Sequence, residues 1–146
     1  MRRSIIVDTT ARLVFHSAVV LSLYLLFAGH NQPGGGFVGG LVAGTALAVH
    51  YIAGGIEDVR GVMPVRPWTV LGGGMVVAAS SALIPLAAGG AVLESGLRSL
   101  TLPLLGTVKI TSALAFDTGV YIVVVGLVAM VLEAFGDEPL QEADAP

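Results

Sequence analysis

Only a few ionisable residues fall inside the long apolar runs of this chain, and these are the places where it could do chemistry. Asp117 stands within a run from about Thr107 to Phe135, with Lys109 near the start and Glu133 at the end. A carboxylate inside a span costs about 2.5–3.5 kcal/mol on insertion scales, so it has to face protein or water and find a partner. Two roles fit: a group that titrates or attracts a cation, or a hydrogen-bonding group that holds helices together. Near the N-terminus, Asp8, Arg12 and His16 follow one another at i, i+4, i+8 and share a helical face. They form either an ion pair that eases the helix into the headgroups, or a stripe that presents Arg12 and His16 to protein or water. Lys109 is poorly placed to neutralise Asp117 within one regular helix, where their spacing gives about 12 Å of rise and roughly 80° of rotation. Tyr121, one turn on, can donate a hydrogen bond but carries no charge. If the first helix enters the bilayer at Ile5, His16 lies about 16 Å deep. With Lys109 at the outer edge of a core of about 30 Å, Asp117 lies about 18 Å from that same side. The matching depths make His16, Arg12 or a cation of another chain the candidate partners of Asp117. The ion-path candidates are thus Asp117, Lys109, His16 and Arg12.

Other polar residues have plainer readings. His50 and Tyr51 near the end of the second apolar run suit an interface with headgroups, the alternative for His50 being a proton relay. His30 and Asn31 precede a glycine-rich turn that opens a helix, a place where phosphate can bind. A phosphate loop needs Lys and Ser or Thr after its last glycine, and Phe37 and Val38 stand there instead. There is no cysteine, hence no thiolate metal site or disulfide. The adjacent acids Glu57 and Asp58 have no second carboxylate cluster beside them, so metal-assisted hydrolysis of lipid phosphates lacks its ligands. No basic patch supports nucleic-acid binding. No cofactor or metal is expected.

The elements that must position these residues are transmembrane helices. Of 146 residues 55% are hydrophobic and only 12% charged, about half the charge of a soluble domain, and mean hydropathy is +0.89. The spacing predicts an all-α integral membrane protein with about four transmembrane helices and short loops. The spans run from about Ile5 or Asp8 to Ala28, Gly36 to Ile56, Pro67 to Ala88, and Thr107 to Phe135. Asp8 and Arg12 interrupt the first run and no clear cleavage site follows it, so it reads as a retained span rather than a signal peptide. Glu57 to Arg66 is a charged connection. Leu93, Leu97 and Leu100 around Glu94 and Arg98 allow a short interfacial helix, with Leu102 to Gly106 extended. Residues 1–136 form one domain and 137–146 an acidic, disordered tail. Arg2, Arg3, Arg12, Arg60 and Arg66 would share one side, against Arg98 and Lys109 on the other, so the positive-inside rule places both termini in the cytoplasm.

Between the first two spans lies Gly29-His30-Asn31-Gln32-Pro33-Gly34-Gly35-Gly36-Phe37-Val38-Gly39-Gly40-Leu41. Pro33 breaks the first helix and the glycines start the second. Gly36, Gly40, Gly44 and Ala48 then recur every fourth residue, a smooth stripe that should meet another helix of this chain or of a partner. This stretch, with Thr111 to Tyr121 and Ser4 to Val7, resembles the B subunit of Mrp-type multisubunit sodium/proton antiporters, the MnhB/MrpB family, over nearly the whole chain. The resemblance implies a non-autonomous multi-pass subunit of the cell membrane. It would work within a hetero-oligomeric complex for sodium transport and pH homeostasis, supporting assembly or completing an ion path. Gly29, His30, Asn31, Pro33, Gly34, Gly35, Gly36, Phe37, Gly39, Gly40 and Gly44 carry its structural motif. The rival from another class is a stand-alone four-helix proton-coupled transporter built around Asp117. Such proteins look like an acidic first helix, whereas this one bears a basic stripe.

Overall fold

The computed structural model describes residues 5–29, 34–87, 98–102, 106–110 and 112–136. The apolar runs become helices bounded by glycine or proline: α1 (Ile5–Ala28), α2 (Gly36–Gly54), α4 (Pro67–Ala87) and α5 (Ser112–Gly136), with a short α3 (Ile56–Val62) after α2. α2 has 19 residues, about 28 Å of helix, close to the thickness of a bilayer core. α1, α2 and α5 are each long and apolar enough to cross a membrane. α3 and α4, bent by 46° at a short break, make a fourth span when taken together. The membrane-spanning part is therefore all α, with about four spans.

Two sequence expectations need correction. The charged connection from Glu57 to Arg66 is helical over its first half: Gly55 takes φ 80 and ends α2, and α3 then starts afresh. Glu57 and Asp58 sit in its first turn and Arg60 in its last, each at the helix end its charge suits. The fourth span begins at Ser112 rather than Thr107, because β1 (Arg98–Leu102) and β2 (Gly106–Ile110) pair antiparallel, Leu100 opposite Val108. Alternation of Leu100 and Leu102 with Ser99 and Thr101, and of Val108 and Ile110 with Thr107 and Lys109, favours strands over the interfacial helix read through Leu100. Glu94, Leu93, Leu97 and the acidic tail lie outside the described residues.

The helices stand in a row. α2 and α5 pack together in the middle, α1 leans on α2, and α4 on α5. Small residues set the spacing. A Cβ on Gly40 would come within 2.8 Å of the Val124 Cβ, and one on Gly44 within 2.7 Å of Val128 Cγ2. The small stripe of α2 thus meets α5 of the same chain. On the other side of α5, Gly74 meets the Val123 backbone nitrogen at 2.7 Å and Gly126 that of Leu71 at 2.6 Å, on the same construction. Below the row, α3 closes a small core of Leu47, Val59 and Ala129, ringed by Phe15, Tyr51, Ile56, Met63, Val125 and Leu132. Arg60 ties this end together, reaching Glu57 at 3.1 Å and Glu133 of α5 at 3.3 Å.

Candidate functional site

The entry into α2 is where the glycine motif and Asp117 come together. The Leu25 carbonyl at the end of α1 accepts from the N–H of Gly29 (3.2 Å) and of Gly35 (3.0 Å), which folds the turn back on the helix it leaves. Gly35 is the residue before α2 and takes φ 96, ψ −176, a region essentially reserved for glycine. A Cβ on Gly34 would lie 2.8 Å from the Leu25 oxygen, and one on Gly36 would overlap the carbonyl oxygen of Asp117. The run of glycines is therefore required by contact with α1 on one side and α5 on the other. Phe37 points outward and is exposed. His30, Asn31 and Pro33 lie outside the described residues.

Asp117 is half-buried in the first turns of α5. Its Oδ2 lies 3.4 Å from where a Gly35 Cβ would be, so the carboxylate sits at the N-terminal end of α2. Among the described residues no side chain caps α2, and no hydrogen bond or ion pair reaches the carboxylate, which faces the positive end of the α2 dipole. Tyr121 does not serve it. Ser22, fully buried, gives its proton to the Val19 carbonyl (2.7 Å), so the Tyr121 hydroxyl 3.0 Å away donates to Ser22 Oγ and joins α5 to α1. Lys109 is on β2, outside the helix of Asp117, so the rise and rotation expected of a single helix do not apply to the pair.

Arg12 and His16 are not brought to Asp117 either. His16 is exposed, and its Nδ1–H donates to the Arg12 carbonyl at 2.7 Å, one turn back on the same helix. Both residues line a cleft with Phe15, His50, Glu57 and Asp58, at the opposite end of α2 from Asp117. From Gly36 to His50 the axis of α2 rises about 21 Å. The matching depths expected from the sequence assumed that α5 begins at Thr107, ahead of its actual start at Ser112. The structure instead separates the ionisable groups into two sites, one at each end of α2. Among the described residues no group of three or more His, Cys, Asp or Glu could hold a metal ion.

Sequence reasoning treated His50 as an interface residue and missed its burial. The signal was present: Gly39, Ala43, Ala46 and His50 follow a helical stripe toward α1, and all four are buried.

Apolar helices joined through glycines, with ionisable residues held at both ends of the central pair, define a multi-pass membrane protein. The chain belongs to the family of domains related to the MnhB subunit of the Na+/H+ antiporter, whose model matches residues 6–130. It is 34% identical to the Na+/H+ antiporter B subunit of Bacillus subtilis (strain 168), over 92% of this chain and 94% of that one. It is 32% identical to the putative antiporter subunit mnhB2 of Staphylococcus aureus (strain MRSA252), over 88% and 91%. Among solved structures it is similar to the Mrp complex from Dietzia sp. DQ12-45-1b, with a TM-score of 0.73 and 31% identity. That match takes in 97% of this chain but only 15% of the chain it matches. The family is a transporter component and not an enzyme.

Proposed function

We propose that this chain is a non-autonomous subunit of a hetero-oligomeric Mrp-type sodium/proton antiporter of the plasma membrane. In this reading it supports assembly through its glycine-packed row and lines part of the ion path at Asp117. One observation carries it: nearly all of this chain is similar to a small part of a much longer chain in an Mrp complex, so the fold there is one segment among others. The chemistry fits. A carboxylate at the start of α2, with no cationic side chain on it among the described residues, attracts a passing cation or proton more readily than one already neutralised. By the arginine count this end faces outward and the α3 end faces the cytoplasm. The test is to tag the chain in cells, co-purify its partners and measure sodium/proton exchange in everted vesicles with and without it. Co-purification of further membrane subunits, with exchange lost when the chain is deleted, is the expected result. Exchange by the purified chain alone in liposomes would overturn it in favour of a stand-alone transporter.

A further inference from the structure

The cleft at the α3 end of the row has the composition of a proton-handling site. Arg12 and His16 of α1, His50 of α2, and Glu57 and Asp58 of α3 line a space of about 360 Å³, with Phe15, Gly61 and Val62 completing it. That is room for on the order of ten water molecules. His50 is the buried member, 7% exposed, and its Nδ1 has no hydrogen-bond partner among the described residues. A buried histidine kept for structure has its ring nitrogens fixed by partners, and even the exposed His16 has its Nδ1 held on the Arg12 carbonyl. The His50 ring is instead held by packing, with the Phe15 ring 5.1 Å away and tilted by 39°. Among the described residues no hydrogen bond at Nδ1 fixes its tautomer.

We propose that His50 is a proton-exchange group, loaded and unloaded through this cleft from the side of the membrane that holds α3. A hydronium in the cleft gives its proton to the lone-pair nitrogen of the imidazole. One O–H bond breaks, one N–H bond forms and a water molecule remains. The imidazolium then shares the cleft with the carboxylates of Glu57, already engaged by Arg60 at 3.1 Å, and of Asp58, and with Arg12 and His16. The reverse step returns the proton. Stacked behind Phe15 and nine-tenths buried, His50 is the member of the cluster placed to pass a proton inward, while Glu57 stays at the rim with its side chain 78% exposed.

Two measurements test this, and only the second rests on the antiporter-subunit reading. In the first, the full-length chain with ¹⁵N-labelled histidines is placed in lipid nanodiscs and the His50 ring resonances, assigned with His50→Gln, are followed across roughly pH 5 to 9. A titration within that range is expected, and a single protonation state throughout overturns the proposal. In the second, the complex carrying His50→Gln is assayed for exchange in everted vesicles. The expected outcome is an intact complex with exchange reduced roughly tenfold and a flattened pH profile; an unchanged profile overturns the proposal. Should His50→Gln not assemble, Glu57→Gln with Asp58→Asn takes its place. Removing these two carboxylates from the cleft should lower exchange or change its pH profile, and an unchanged profile counts against the site. If the wild-type complex exchanges equally well without this chain, the antiporter-subunit reading fails while the nanodisc result still decides whether His50 takes up protons.

Discussion

A carboxylate beside the first turn of a helix gains about 0.3–1 kcal/mol from the dipole, and up to about 2 where it is partly buried. At the centre of a span it costs about 2.5–3.5 kcal/mol, and less toward the end, where Asp117 stands in the first turns of α5. The start of α2 therefore offsets part of the cost of Asp117, and in the proposed ion path a proton, a transported cation or a positive group of another subunit offsets more. This makes Asp117→Asn informative. If Asp117 serves the ion path, the variant complex should be recovered intact while exchange in everted vesicles falls about tenfold or shifts along the pH axis. A profile indistinguishable from wild type would leave Asp117 a hydrogen-bonding group only. At this scale the sequence showed where the ionisable residues lie better than which residues meet. Asp117 was legible as the one carboxylate deep in its run, but its neighbours were not. Whether Lys109, Tyr121 or His16 stands beside it depends on where α5 begins and which way α1 turns, and hydropathy is blind to both.

Elements were legible where a hydrophobic run and its breaker agreed. α1 ends at Ala28, α2 starts at Gly36 and α4 starts at Pro67, all at the residues the breakers indicated. The start of α5 was hidden because Val108 and Ile110 lead into the apolar run after them, and only their alternation with Thr107 and Lys109 betrays the strand. The α2–α5 seam is the element-level device with most at stake. With the Val124 Cβ only 2.8 Å from a Gly40 Cβ, Gly40→Leu must push the two helices apart, an overpacking cost of about 1–3 kcal/mol or more. Recovery of folded chain and of complex should drop sharply, while Val38→Leu, at an exposed position of the same helix, should be recovered like wild type. Equal yields would mean that the seam is not what holds α2. Gly35→Val tests the turn by a separate route, since φ 96 costs a residue with a Cβ about 1–3 kcal/mol. Its expected signature is a lower thermal midpoint of the purified chain.

For the whole molecule, Arg60 in the last turn of α3 and Arg66 beyond it predict, by the positive-inside rule, that the α3 end faces the cytoplasm. The absence of cysteine makes this directly measurable. Val65, exposed in the break between α3 and α4, can be changed to Cys. A membrane-impermeant maleimide should then label it in everted vesicles and not in right-side-out ones; the opposite pattern would invert the row and move the His50 cleft outside.

The row itself has an electrical consequence. Four helices side by side, with α1 and α4 at the two free ends, form a partition rather than a tube. A partition has no lumen, so a copy made before its partners arrive does not short-circuit the membrane potential. If the row lines an ion path as proposed, a conducting route needs a second wall laid against the first, and an ion passing between them touches residues of two polypeptides. Leakage is thus guarded by stoichiometry: a cell that overproduces this chain loses material but no voltage.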